Sequence, residues 1–320
     1  MPSYSFIVPI YNDAFMAEEF CKEFEFVMKS FLHNDTINDN VELIFVNDGS
    51  NDNSATVLMG ICNKYRFVKV INLSRNFGQH IAVSCGYKYS KGDYVGMLNV
   101  DMQDPPDQIP ILIESMNNNK YDIIYGLREI RQSPFLEKLT SLLFNYLLNK
   151  LTGYQTPYNV ATIRIMNKKF TEVYNSLTEK SRYLPGLQGW IGFNQGHVLT
   201  KHRKRQKGQS SYNFKKRFIM ALEAIISFSD IPLKLIAMTG ILIALIGFLL
   251  MIYLIIIKLF FVEMRPGYTS TFSVIVFFGG VQILVIGLSA LYIGRILKEV
   301  QNRPLFVVKD TYNFNNEKQN

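Results

Sequence analysis

Two late runs of the chain, Leu235 to Ile257 and Phe272 to Ile293, contain no charged residue. Each is long enough to cross a hydrocarbon layer of about 30 Å at about 1.5 Å per residue in a helix. The core of a soluble protein accounts for one such helix. Two that are apolar all round and lie so close in sequence favour a membrane hairpin, closed outside by a short loop around Glu263 to Ser270.

The charge of the chain fits this arrangement. Its formal net charge is +8, and Lys201 to Arg217 holds eight Lys or Arg and no acid, so the remainder sums to zero. Such a run also suits a solvated loop or nucleic acid. Its place just before the first span assigns it instead to anionic headgroups or a lipid phosphate, and no nucleic-acid partner is expected. Arg295, Lys298 and Lys309 follow the second span. Both ends of the hairpin are therefore read as cytoplasmic, which makes the protein a multi-pass protein of the cytoplasmic (inner) membrane. Tyr4 to Pro9 is too short, and lacks the basic leader, to be a cleavable signal. Gly279, Gly280 and Gly287 leave room for close helix contact, so a homo-oligomer stays open.

Ahead of the hairpin, short apolar runs alternate with helical patterns. Ser5 to Ile10, Val41 to Val46, Val68 to Leu73 and Tyr94 to Leu98 read as buried strands, with helices at Ala14 to Phe31, Asn51 to Tyr65 and a third ending near Tyr89. This order predicts an α/β fold with a mainly parallel sheet covered on both faces. Cys21, Cys62 and Cys85 have no metal-ligand spacing and read as buried thiols. The histidines His33, His80, His197 and His202 form no cluster of the zinc-binding kind.

Successive strands end in polar residues: Tyr11-Asn12-Asp13, Asn47-Asp48-Gly49-Ser50, Ser74-Arg75-Asn76 and Asn99-Val100-Asp101-Met102-Gln103-Asp104. An open α/β sheet binds its ligand at that edge. An acidic pair with amide neighbours suits a hard divalent cation, Mg²⁺ or Mn²⁺, that retains positions for phosphate oxygens. On this reading Tyr11 and Asp13 face a base, Asp48 accepts from its imide or ribose, Arg75 meets phosphate, and Asp101 holds the metal between two phosphates. An acidic turn of no catalytic meaning is the plain alternative for each motif taken singly.

Val46 to Ser50, Leu73 to Gly78 and Asp101 to Pro106 resemble the signature blocks of family 2 glycosyltransferases of the polyprenyl-phosphate type. The likeness extends through Arg182 to Trp190, Gly208 to Tyr212, both spans, Gly294-Arg295 and Arg303-Pro304-Leu305. It implies a GT-A fold, a nucleotide-sugar donor, a divalent metal on Asp101 and Gln103, and a membrane polyprenyl phosphate, undecaprenyl phosphate in bacteria, as acceptor. It also implies inversion at the anomeric carbon. Pro9, Tyr11, Asp13, Asp48, Arg75, Asn99 and Gln103 then make the donor side. Arg128, Arg131, Arg205, Lys207 and Ser210 face the acceptor phosphate, and Asp101, Asp104, Arg128 and Thr162 stand at the reaction centre.

Two positions depart from the family pattern. Asn99 replaces the first carboxylate of Asp-x-Asp, which keeps an oxygen ligand but loses a charge. Thr162 replaces an Asp often given a role near the acceptor. A sugar hydroxyl needs a base to attack, whereas a phosphate monoester is largely anionic at neutral pH, so the second change is compatible with a phosphate acceptor. The alternatives are that Asp104 serves as base, that the acceptor is a hydroxyl of a lipid-linked sugar, or that the chain is a non-catalytic membrane adaptor retaining the fold.

The expected organisation is a catalytic domain over 1–212, an amphipathic interface helix over 213–232, two spans within 233–296, and a cytoplasmic tail over 297–320, frayed after about Asp310. Asp122 to Tyr125 reads as a strand and Phe135 to Leu151 as a long helix with an apolar face. Trp190, the only tryptophan, either stacks on the donor sugar or packs within a core loop, the second being preferred.

Overall fold

The computed structural model describes residues 2–34, 37–128, 160–180, 182–203 and 267–314, with scattered positions between 238 and 256. The expected helices over 135–151 and 213–232 and most of the first span lie outside the described residues. The chain divides into two compact units: one includes Pro304–Asn320 together with the N-terminal residues, the other includes Phe218–Arg303.

In the first unit, β1 (Tyr4–Ile10), α1 (Ala17–Leu32), β2 (Val41–Asn47), α2 (Ser54–Lys64), β3 (Val68–Leu73), α3 (Gln79–Tyr89) and β4 (Tyr94–Met97) alternate as the sequence predicts. After them come α4 (Ile109–Asn119), β5 (Ile123–Arg128), β6 (Val160–Asn167), α5 (Lys168–Ser176), α6 (Leu184–Ile191) and β7 (Gln195–Thr200). The strands form one sheet of eight, ordered β7-β5-β6-β4-β1-β2-β3-β8, where β8 is Val308–Tyr312. β1, β2, β3 and β4 are mutually parallel, while β6 runs antiparallel to both β4 and β5.

Central strands covered on both faces read as unbroken apolar runs, and every residue of β2 is buried. α1 buries Ala17, Phe20, Cys21, Phe24 and Met28, a helical stripe against the sheet. α3 approaches β1 closely because Gly86 has no side chain, and a Cβ there would lie 2.4 Å from Ile7 Cγ2. All three cysteines are buried free thiols, as expected.

The C-terminal segment corrects the expectation of a frayed tail. Val308–Tyr312 pairs antiparallel with β3, and Asn313 Nδ2 donates to the carbonyls of Cys62 and Val68. Its alternating pattern suits an edge strand, which needs only one face buried. Trp190 is likewise corrected: it stands 55% exposed on α6.

In the second unit, α7 spans Tyr268–Val300, about 50 Å of helix at about 1.5 Å per residue. It is longer than the predicted span, because the helix continues through the basic residues after Ile293. Within it Phe277–Val300 is long and apolar enough to cross a membrane. Ile283, Ile286 and Ile293 project outward.

Candidate active site

β1 pairs with β4 only from Tyr4 to Ile7 but follows β2 as far as Ile10. The chain winds from β1 through β2 to β3 on one side and returns to β4 on the other. A crevice therefore opens at the carboxyl ends of β1 and β4, the switch point where open α/β sheets bind ligands. Pro9 sits beyond the β4 pairing, where its missing N–H breaks no ladder bond on that side. Tyr11 is exposed just past β1, and Asp13 is half-buried where the next turn begins.

On the far side of the crevice β4 runs into Asp101, which is 7% exposed. Asp101 Oδ1 accepts from Gln103 N at 3.2 Å. Met102 between them is buried with φ +54, a left-handed conformation uncommon for a residue with a side chain. Asn99 is half-buried, and its Oδ1 lies 3.4 Å from Gln79 Nε2.

Asp104 is the most heavily engaged carboxylate of the site and is 1% exposed. Its Oδ2 accepts from Arg128 Nη2 at 3.1 Å and from Thr162 N at 2.8 Å, and its Oδ1 lies 3.1 Å from His202 Nδ1. Burial pushes its pKa up, but the Arg128 guanidinium, the Thr162 N–H and His202 outweigh burial and hold the carboxyl below its ordinary range. A carboxylate stabilised in this way is a poor proton acceptor, which argues against Asp104 as base. It is placed to orient Arg128 and His202.

The segment leaving β7 locks this loop. Lys201 N donates to Gln108 Oε1 at 3.0 Å and Arg203 N to the Gln103 carbonyl at 2.9 Å. The Arg203 guanidinium pairs with Glu23 and Asp107. This member of the basic run is thus spent on protein carboxylates rather than left for lipid. His202 was not legible as a site residue, since it lies within the basic run, 98 positions from its partner Asp104.

Asp48, expected to face a base, braces the neighbouring loop. Its two carboxylate oxygens accept from Phe77 N at 2.7 Å and Gly78 N at 2.9 Å. Burial raises its pKa more than those two bonds lower it. Arg75 is exposed, lies over the Phe77 ring at 4.4 Å, and with Tyr11 lines a cavity of about 610 Å³. Gly49 makes this crossing possible: its φ is +63, and a Cβ there would lie 2.2 Å from the Arg75 carbonyl carbon.

Thr162 meets Asp104 through its backbone N–H, and its carbonyl accepts from Arg164 Nε at 3.1 Å. Arg164 is buried and donates to Gln188 Oε1 at 2.8 Å, tying β6 to the Arg182–Trp190 stretch. The structure thus gathers Asp101, Gln103, Asp104, Arg128 and Thr162 around one loop, and Tyr11 and Arg75 around one cavity. Arg131, Arg205, Lys207 and Ser210 lie outside the described residues.

The donor set at Asp101 fits a divalent cation shared with substrate. Among the described residues no three His, Cys, Asp or Glu side chains converge to hold an ion alone. A buried carboxylate with the Asn99 and Gln103 amides nearby in sequence suits an ion of the Mg²⁺ class that takes its remaining ligands from phosphate and water.

Comparison with known proteins agrees with the signature blocks. The family model "Glycosyl transferase family 2" matches residues 5–174, more than half of the chain. The uncharacterized glycosyltransferase YkcC of Bacillus subtilis (strain 168) is 34% identical over 316 residues, covering 98% of this chain and 96% of that protein. The bactoprenol glucosyl transferase of Shigella phage SfII is 33% identical over 312 residues, covering 97% and 99%. The undecaprenyl-phosphate 4-deoxy-4-formamido-L-arabinose transferase of Proteus mirabilis (strain HI4320) is 30% identical over 308 residues, covering 95% and 92%. On the strength of that match and of full-length identity at this level, the chain belongs to glycosyl transferase family 2.

Proposed function

We propose that this enzyme moves a sugar from a nucleotide diphosphate donor to the phosphate of a membrane polyprenyl lipid, undecaprenyl phosphate, with inversion at the anomeric carbon. The names of the bactoprenol and undecaprenyl-phosphate relatives support the acceptor class. The observation that carries the reading is the Asp104 cluster. It presents Arg128 and His202, two groups that can donate to a phosphate oxygen, from one buried carboxylate.

Arg128 Nε is buried and has no hydrogen-bond partner among the described residues, which leaves a donor for a phosphate oxygen. A phosphate monoester reaches neutral pH already ionised, so it attacks the anomeric carbon without a protein base. The transition state has oxocarbenium character, and fixed charges placed in advance contribute more than covalent catalysis. A divalent cation on Asp101, with Asn99 and Gln103, would offset the charge of the departing nucleoside diphosphate. Tyr11 and Arg75 hold the donor from the opposite side of the crevice. Arg131, Arg205, Lys207 and Ser210 belong on the acceptor side in this reading. The apolar, outward-facing α7 supports a membrane-spanning hairpin with the catalytic domain in the cytoplasm.

The experiment supplies purified protein with labelled nucleotide sugars, Mg²⁺ or Mn²⁺, and undecaprenyl phosphate. Chloroform-soluble label that forms only with the cation, and disappears in Asp101→Ala, is the expected result. Label that never enters the organic phase with any donor overturns the reading.

A further inference from the structure

The C-terminal strand β8 reaches the donor side of the sheet by a polar relay. Asp310 and Asn72 are register partners, and the Asp310 carboxylate accepts from Asn72 Nδ2. Asn72 Oδ1 then accepts from Asn47 Nδ2 at 2.9 Å, and Asn47 Oδ1 accepts from Ser50 N at 3.1 Å. Ser50 Oγ in turn accepts from Asn12 N at 3.0 Å, in the loop that carries Tyr11.

An ionised carboxylate only accepts and a backbone N–H only donates, so Asp310 at one end and Ser50 N at the other hold the two amides in one direction. Asn72 turns its NH₂ outward to Asp310 and its oxygen inward to Asn47. Asn47 and Asn72 are both buried, and a buried amide held the wrong way round leaves partners unpaired.

The relay forms part of the wall of the cavity of about 610 Å³ already described, which Tyr11, Asn72, Arg75, Lys309, Asp310 and Tyr312 help to line. That volume is typical of small-molecule sites. Arg75 approaches it from the loop after β3 and Lys309 from β8, both exposed, and neither forms an ion pair among the described residues. Two cations, two phenol rings and a directed row of amides match the parts of a nucleoside diphosphate: anionic phosphate, planar base and ribose hydroxyls.

We infer that β8 is a working wall of the donor pocket, with Lys309 a phosphate contact and Asp310 a positioning residue that anchors the outer end of the Asn72–Asn47–Ser50 relay. This rests on the donor reading of the crevice and extends it to a segment outside the matched family model, which ends at residue 174. In sequence, only Gln301 to Val307 separates α7 from β8.

The test uses the full chain in detergent or nanodiscs, titrated with UDP, GDP, CDP and dTDP, and then assayed with the matching nucleotide sugar. Lys309→Gln and Asp310→Asn are each expected to raise the Kd for the nucleotide that binds, and the donor KM, by about tenfold, as for lost charge-assisted hydrogen bonds. The acceptor KM and kcat stay within twofold. A merely structural role for β8 would lower the active fraction, hence kcat, and leave the donor KM unchanged. Thr311→Ala, exposed and not lining the cavity, serves as the control. Lys309 is exposed, so its substitution reports on binding even if Asp310→Asn unfolds. Unchanged donor Kd in a folded Lys309→Gln protein, with wild type binding normally, overturns this inference and leaves the donor reading intact. Wild-type protein that binds none of the nucleotides overturns both.

Discussion

His202 Nδ1 lies 3.1 Å from Asp104 Oδ1, and the opposite oxygen of the same buried carboxylate holds Arg128 Nη2 at 3.1 Å. One carboxylate therefore sets the position of two groups that can donate to a phosphate. Asp104→Asn keeps the volume but turns an NH₂ toward one of these donors. Loss of a hydrogen bond to a charged group costs ~1.5–3 kcal/mol, so kcat/KM for the lipid acceptor is expected to fall about 10- to 100-fold. Steady-state kinetics with the acceptor varied at saturating donor read this directly, and a change within twofold would contradict it.

Asp104 and Asp48 are expected to titrate on opposite sides of the ordinary carboxylate value of about 3.9. For Asp104 burial is outweighed by Arg128, the Thr162 N–H and His202, so its folded pKa is depressed. Its stabilising contribution is present above about pH 4 and is lost as pH falls through the depressed value. For Asp48 burial prevails over two backbone hydrogen bonds and the folded pKa is raised. Its ionisation in the folded state opposes stability as pH rises through that value. Carbon-13 spectra of carboxyl-labelled aspartate should show Asp48 titrating above Asp104, and the reverse order would rule out these environments.

Gly49→Ala adds a methyl group 2.2 Å from the Arg75 carbonyl carbon at a position with φ +63. Neither the backbone facing it nor the left-handed conformation yields cheaply, and overpacking of this kind costs ~1–3 kcal/mol. The expected outcome is a lower thermal midpoint together with weakened nucleotide binding by calorimetry. Normal binding at wild-type stability would show that the two loops do not need this contact.

Ile286 stands 67% exposed on α7, within the apolar stretch Phe277–Val300. If that helix spans a bilayer, Ile286→Arg introduces ~2.5–3.5 kcal/mol of insertion cost near its centre. Less protein should then remain in membranes after an alkaline carbonate wash, while the same substitution at Phe26, exposed on α1, has no such effect. Equal retention of both variants would remove the hairpin from the account.

Much of the catalytic domain was legible because its central strands are covered on both faces. β1 to β4 are mostly apolar runs, and the polar residues after them fall on one edge. The outer strands were less readable. β8 is short and polar and needs only one neighbour, so Val308–Tyr312 looked like a tail. Local patterns also cannot show which partners meet across the chain. Nothing local in Asn47-Asp48-Gly49-Ser50 announces that the backbone of Phe77 and Gly78 closes on Asp48. His202 looked incidental until the exit from β7 brought it to Asp104. Of the two readings of Trp190, its exposure on α6 counts against packing in a core loop.

In the proposed reaction the attacking atom is a phosphate oxygen on a lipid. The most direct measurement offers the enzyme one labelled nucleotide sugar with, in parallel, undecaprenyl phosphate and undecaprenol. Label is expected in the chloroform phase with the phosphate alone, in a product that mild acid cleaves as a glycosyl phosphodiester. Transfer to the free alcohol at a comparable rate, or a product that resists mild acid, would contradict the account.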